Sequence, residues 1–362
     1  MYTNDNRIVM TLDAGGTNLV FSAIRGGKEI VSPVTLSAAS NSLDVCLNHI
    51  TEGFNAIRTV LPEAPVAISF AFPGPADYAA GIIGDLPNFP SFRGGVALGP
   101  YLQDAFGIPV FINNDGNLFA YGEALSGALP ELNRKLEAAG SIRRYKNLLG
   151  VTLGTGFGAG VVLDGNLLLG DNGAGGDVWC LRNKKYPQYI AEESVSIRAV
   201  KRVYAAYSGD TSALTPKDIF DIAEGLRQGN RDAAIRSFAE LGEMAGDAIA
   251  SAITLIDGIV VIGGGLAGAS KYILPSLLAE LNSSLGMMDG SLFSRLQMKA
   301  FNLEDENQFT AFAKGEAVKV AIPGTDRLID YDPFKRFGVM VSKQGTSRSV
   351  AMGAYVYALN HL

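Results

Sequence analysis

Residues 12–18 read LDAGGTN, directly after the apolar run that starts at Ile8. Residues 8–13, IVMTLD, have the make-up of a buried strand that ends in a carboxylate, and 19–24, LVFSAI, that of a returning strand. AGGTN between them turns the chain. Gly15 and Gly16 let the backbone approach a ligand closely and aim N–H groups at it. Thr17 adds a hydroxyl. The set suits the terminal phosphates of a nucleotide, with Asp13 holding the accompanying Mg²⁺ directly or through water. A plain hairpin turn with an acid beside it is the simpler reading, and the motif by itself does not exclude it.

The same layout returns further along. Residues 148–165 give a strand, a glycine turn and a strand. Gly154, Thr155, Gly156 and Gly158 form a second candidate phosphate loop, without the Lys-Ser/Thr of a Walker A sequence. At 259–265 a buried strand breaks into Gly263, Gly264 and Gly265, where a bare backbone could lie against adenine and ribose. Apolar spacing predicts helices over 42–61 and 231–256, a short polar surface helix over 131–139, and a C-terminal helix. Residues 66–75 form a strand stopped by Pro-Gly-Pro. Two halves, each opening on a glycine-turned hairpin, predict an α/β protein of two lobes with a cleft.

Composition limits the alternatives. The chain has 362 residues, enough for two domains, and 48% of them are hydrophobic and 18% charged. A formal net charge of -6 without a Lys/Arg run argues against nucleic-acid binding. Two distant cysteines, Cys46 and Cys180, make no disulfide framework and suit a reducing compartment. No signal-peptide pattern and no apolar run of membrane-spanning length is present, so a cytoplasmic protein is expected.

The segment INNDGN places Asp115 at a strand-to-helix junction. A helix cap would explain an acid there, by about 1 kcal/mol. It does not explain Asn113 and Asn114 before it or Gly116 after it. A general base accepting a proton from an attacking hydroxyl does, since phosphoryl transfer otherwise needs positioning, Mg²⁺ and dipoles.

Taken in order, LDAGGTN, FPGPAD, LPNFPSF, INNDGNLFAYGEA, GVTLGTGFGAGVV and IVVIGGG resemble the ROK sugar kinases, of the actin-like ATPase and hexokinase superfamily. The resemblance implies two ribonuclease-H-like lobes closing on ATP and a hexose. It makes Asp115 the base acting on a sugar hydroxyl, most often O6. It gives Asn88 and Asn114 hydrogen bonds to the sugar and sets Gly74 against it. It turns Gly15, Gly16, Gly154, Thr155, Gly156, Gly158 and Gly263–Gly265 into phosphate and adenosine loops. The family's repressors add an N-terminal helix-turn-helix, for which a first strand at Ile8 leaves no room, so the kinase branch is expected.

The resemblance fails in one place. Relatives carry a zinc loop built on one His and three Cys, whereas here the matching stretch is GGDVWCLRNKKYPQYIAEES, residues 175–194. Asp177 falls where a sugar-contacting Glu stands. Cys180, or Trp179 after a one-residue shift, falls on the His. Glu192 fits the trailing sugar-contacting Glu, with Glu193 as second choice. Too few ligands remain for zinc, and Cys180 and Trp179 are expected to pack in its stead.

The expected organisation is an N-terminal lobe over 1–118, a C-terminal lobe over 119–349, and a helix over 350–362 returning to the first lobe. Strand-like AVKVAI and FGVMVS within 290–345 are expected to form an added hairpin. The expected function is an ATP- and Mg²⁺-dependent hexose kinase, active as a homodimer. A sugar sensor of the same fold with little activity is the alternative. A protein-directed ATPase fits the sugar signature poorly.

Overall fold

The computed structural model describes residues 2–15, 17–39, 41–84 and 90–362. Its contacts divide the chain into two units. The first is Met1–Gly127, Gly160–Gly176 and Gln344–Leu362, and the second is Ala128–Ala159 and Asp177–Lys343.

The first unit is built on a sheet that begins with β1 (Val9–Ala14) and β2 (Asn18–Arg25), the antiparallel hairpin turned by AGGTN. β3 (Lys28–Glu29) and β4 (Val34–Ser37) both pair with β2. Helix α1 (Leu43–Val60) then buries Cys46, Ile50, Phe54 and Ile57, the three- and four-residue spacing of one helix face. It leads to β5 (Ala67–Ala71), parallel to β1. A small hairpin, β6 (Ala76–Asp77) with β7 (Ile82–Ile83), and α2 (Leu98–Phe106) precede β8 (Val110–Asn113), parallel to β5. The sheet order is β3-β2-β1-β5-β8. Phe21, Phe54, Phe70, Phe72, Phe92 and Phe106 fill the core, with Phe21 edge-on to Phe54 at 5.1 Å.

Helix α3 (Asp115–Leu125) follows β8 and packs against the C-terminal helix, Thr346–His361. Their backbones meet at glycines. A Cβ on Gly122 would stand 2.0 Å from the Ser349 carbonyl oxygen, and one on Gly353 1.9 Å from that of Leu118. Buried Ser349 donates to buried Glu123 at 2.5 Å across this contact.

The second unit starts with α4 (Ala128–Ala138), which buries Leu129, Leu132 and Leu136 and is therefore a packed helix, not a polar surface insertion. β9 (Leu148–Leu153) follows. β10 (Phe157–Leu163) leaves this unit after Ala159, and its far end pairs with β11 (Asn166–Leu167) in the first unit. Helices α5 (Ile197–Ser208), α6 (Pro216–Glu224) and α7 (Arg231–Ile256) come next, then β12 (Ile259–Gly263), parallel to β9, and α8 (Ser270–Leu281). A Thr215–Asp218 capping box starts α6. The remaining elements are a hairpin of β13 (Ser284–Gly286) with β14 (Leu292–Ser294), β15 (Lys299–Asn302), α9 (Glu306–Lys314), a hairpin of β16 (Val318–Ala321) with β17 (Leu328–Tyr331), and β18 (Arg336–Val341).

β18 lies between β12 and β15, parallel to both. This corrects the expected hairpin: AVKVAI pairs with the stretch at 328–331, while FGVMVS is a buried sheet strand. The near-continuous apolar run of FGVMV is that of a parallel strand covered on both faces. The division expected after residue 118 falls after Gly127, because α3 shares its packing face with the C-terminal helix, and 160–176 and 344–349 join the first unit. Among the described residues no helix is long and apolar enough to cross a membrane.

Candidate functional site

Parallel β1, β5 and β8 end side by side, with Asp13 opposite Ala71 and Ala71 opposite Asn113. Strand C-termini of an open α/β sheet are where ligand crevices form. A cavity of about 490 Å³ opens there within the first unit. Asp13, Ala14, Ala71, Phe72, Pro73, Gly74, Asn114 and Asp115 line one side, and Thr346, Ser347 and Arg348 of the C-terminal helix line another. Gly74 is a close approach: a Cβ would sit 2.8 Å from the Tyr78 hydroxyl, which donates to the Phe72 carbonyl at 3.0 Å.

Asn114, not Asp115, is the N-cap of α3. Its Oδ1 accepts from the Gly116 N–H at 2.8 Å, and Asp115 Oδ1 accepts from the same N–H at 2.8 Å. Asp115 is thereby the first helical residue, its carboxylate at the positive end of α3. Solvent reaches Asp115 in the cavity, yet protein surrounds it. That burial raises its pKa above the ordinary aspartate value against the pull of the Gly116 N–H, and the charge of Asp13 adds to the rise.

Gly15 donates its N–H to the Asn18 carbonyl at 2.9 Å, and the Thr17 carbonyl accepts from Ala38, just past β4, at 2.9 Å. Gly16 and Asn88 lie outside the described residues.

In the second unit the loops at 154–158 and 263–265 are neighbours. Gly264 has φ 89°, and a Cβ on it would lie 2.2 Å from the Leu153 carbonyl oxygen, so only glycine serves there. Gly154 donates to Gly156 at 3.1 Å, closing the turn. Glu192 reaches this turn. Its Oε2 accepts from the Phe157 N–H at 3.0 Å, and a Cβ on Gly156 would lie 2.7 Å from that oxygen. Its Oε1 takes Arg198 at 2.8 Å, which also binds Glu193 at 2.8 Å.

Asp177 is exposed, and its carbonyl accepts from the Cys180 Sγ at 3.0 Å. The expected packing of Cys180 and Trp179 is corrected: both are exposed, because the short 3-10 turn Val178–Cys180 buries only Val178. Asn183, 2% exposed, organises the loop instead. Its Oδ1 accepts from Lys185 at 3.1 Å and Tyr186 at 3.0 Å. Its Nδ2 donates to the Ile190 carbonyl at 3.2 Å and to Ser194 Oγ at 2.8 Å. Sequence reasoning missed Asn183, which no motif marks, and the Thr346–Arg348 side of the cavity. Thr11 was within reach: two residues before Asp13 on the same strand, it faces the same way.

The family model described as ROK family matches residues 9–300. A crystal structure of a glucokinase from Parabacteroides distasonis is 72% identical, with 100% of both chains covered and a TM-score of 0.94. A glucokinase from Thermotoga maritima is 28% identical over 287 residues, 74% of this chain and 84% of its own. A ROK hexokinase from Thermus thermophilus shares the fold at 20% identity, covering 98% of this chain and 99% of its own, with a TM-score of 0.67. With the family model spanning most of its length, this chain belongs to the ROK family.

Proposed function

We propose that this ROK family member is an ATP-dependent sugar kinase that transfers the γ-phosphoryl group to a hexose hydroxyl, O6 in the first instance. The observation that carries the reading is Asp115: a carboxylate at a helix start, in a cavity at the strand ends, with a raised pKa. A general base works best when its pKa approaches the operating pH while the group stays ionised. Asp115 accepts the hydroxyl proton as the sugar oxygen bonds to the γ-phosphorus and the bond to the β-phosphate oxygen breaks. Asn114 has its Oδ1 committed to Gly116, which leaves its Nδ2 to donate to a sugar oxygen. Gly74 walls the sugar, and by the family resemblance Asn88 hydrogen-bonds to it while Asp177 and Glu192 accept from its hydroxyls.

The donor set on the cavity fits Mg²⁺: Asp13 offers a hard carboxylate beside the strand-end backbone. Bound there with the nucleotide, the ion supplies charge neutralisation of the β- and γ-phosphates. Gly15, Gly16 and Thr17 on the β1–β2 turn, and Gly154, Thr155, Gly156 and Gly158 in the second unit, are read as phosphate loops. Gly263–Gly265 is read as the adenosine loop. The protein is further read as a cytoplasmic homodimer, which suits its two unpaired cysteines.

The test is a coupled ATP-consumption assay across glucose, fructose, mannose and N-acetylated hexosamines, run on the wild type and Asp115→Asn. Turnover on one of these sugars that disappears in the variant is the expected result. Near-wild-type turnover by the variant removes Asp115 from the mechanism, and binding without turnover on every sugar points to a sensor.

A further inference from the structure

A second cavity, of about 400 Å³, lies wholly within the second unit, against the loop that Asn183 organises. Lys184 and Lys185 of that loop line it, with Arg236, Glu240 and Glu243 of α7 and Ser276 of α8. Lys184 pairs with Glu243 at 2.8 Å and with Glu280 at 2.7 Å, and Lys185 pairs with Glu240 at 2.8 Å. An ammonium carries three N–H donors, so these pairs leave donors over on both lysines. Arg236 is placed differently. Glu240 lies one helical turn on, where an ion pair ordinarily forms, but Glu240 serves Lys185. The Arg236 guanidinium makes no hydrogen bond or ion pair among the described residues, and it lies 3.8 Å from the centre of the Tyr207 ring.

The wall of this cavity thus offers one cation without an acid, spare donors on two more, and the hydroxyl of Ser276. Its two acids, by contrast, are already engaged by the lysines. A wall with more donors than acceptors suits a ligand with the reverse balance. A small anion of two or more charges has it, and a guanidinium holds a carboxylate or a phosphate with two parallel bonds. Stacking on Tyr207 orders the guanidinium beforehand, so little of its freedom is lost on binding. The volume is that of a small-molecule site.

We propose that this cavity is an effector site for a compact, multiply charged anion, a phosphate or a polycarboxylate, and that its occupancy is felt at the glycine turn of 154–158; the second part rests on the phosphate-loop reading above. The link is short and stays inside the second unit. Asn183, next before Lys184, donates to the Ile190 carbonyl and to Ser194 Oγ. Arg182 pairs with Ile190 as an isolated β-bridge. Two residues past Ile190, Glu192 accepts from the Phe157 N–H at 3.0 Å. An anion that draws Lys184 and Lys185 from their acids pulls on a loop whose far end holds the turn. By linkage, anion and nucleotide then change each other's affinity by the same factor.

Calorimetric titration of the full chain, without Mg²⁺ and at fixed ionic strength, tests this with pyrophosphate and citrate as probes. With ADP present at saturation, the wild type is expected to bind at least one probe. Binding of pyrophosphate alone assigns the site to phosphates, and of citrate alone to carboxylates. Arg236→Gln removes the unpaired cation and Ser276→Asp adds a like charge, and each is expected to weaken binding at least tenfold with helix content unchanged. No binding of either probe, or binding that ADP abolishes and both variants leave intact, overturns the site. The ADP affinity of the wild type is expected to shift severalfold when the probe saturates, and that of Arg236→Gln to stay put. An unshifted wild-type value overturns the link to the turn. A chain that binds a probe but neither binds ADP nor phosphorylates a sugar overturns the kinase reading and leaves the anion site standing.

Discussion

Asp115 and Asp13 sit one strand apart, Asp13 near the end of β1 and Asp115 just past the end of β8, with β5 between them. Burial raises the Asp115 pKa, and the Asp13 charge raises it further. The base of the proposed reaction is thus tuned by the residue proposed to serve the metal. The acidic limb of the rate–pH profile should therefore lie above the ordinary aspartate value of about 3.9. In Asp13→Asn, residual activity measured with excess Mg²⁺ should show that limb moved to lower pH. An unmoved limb would mean that the two carboxylates do not communicate.

Asp115→Asn should lower kcat by about a hundredfold to ten-thousandfold, the usual worth of a general base. Its effect on stability has the opposite sign. The folded-state pKa of Asp115 lies above the unfolded one, so the folded chain holds its proton more tightly. That contribution is complete below the unfolded value and is lost as pH rises through the raised folded value. At pH 7 the ionised group opposes folding, and the Asn variant should melt no lower than wild type. Melting scans at pH 4 and pH 7 check this, and a variant markedly less stable at pH 7 would contradict it.

Much of this site could be read in the chain because its features are local. A buried strand ending in Asp13, a glycine turn and an acid at the start of α3 are each written within a few consecutive residues. Helix α7 likewise follows from its apolar spacing and occupies Arg231–Ile256. What could not be read depends on partners distant in sequence. FGVMVS looks like half of a hairpin until β12 and β15 are seen on either side of it. Cys180 and Trp179 look like core residues by type, but the turn that holds them faces solvent. Asn183 is polar and sits in a loop, and only its burial shows that it takes four hydrogen bonds.

The contact of α3 with the C-terminal helix predicts a strong response to one methyl group. A Cβ at Gly122 or Gly353 would meet a carbonyl oxygen at 2.0 or 1.9 Å, and backbone cannot rotate away as a side chain can. Gly122→Ala and Gly353→Ala should each cost about 1–3 kcal/mol or more by overpacking. Because the C-terminal helix also lines the cavity, sugar affinity should fall with stability. Calorimetry and sugar titration read both, and a variant that melts like wild type would show that the helices part freely.

Asn183 ties its loop together through four hydrogen bonds, in the stretch where the family resemblance would put a zinc loop. Asn183→Ala leaves two N–H donors and two acceptors in the loop to find new partners, at about 1–3 kcal/mol for each group left unsatisfied. Hydrogen exchange over residues 181–194 should accelerate while the sheet of the second unit stays protected. Treatment with a chelator should leave the melting temperature of the Mg²⁺-free protein unchanged. A chelator-induced fall in melting temperature would point to a bound metal and remove Asn183 from this role.

Glu192 offers a choice between two roles, and its contacts favour one. The family resemblance assigns it to the sugar, but Oε2 is taken by the Phe157 N–H and Oε1 by Arg198. The atoms it holds belong to the turn that closes at Gly154–Gly156, the proposed phosphate loop. Glu192→Gln keeps one acceptor for Phe157 but loses the ion pair with Arg198, and Glu192→Ala loses both. If Glu192 holds the loop, KM for ATP should rise about tenfold in the Ala variant and less in the Gln variant, with KM for the sugar little changed. A tenfold rise corresponds to about 1.4 kcal/mol, within the range for a hydrogen bond to a charged group. A rise confined to the sugar KM would return Glu192 to the sugar and leave the order of the turn to the Gly154–Gly156 and Ile197–Gly154 backbone hydrogen bonds alone.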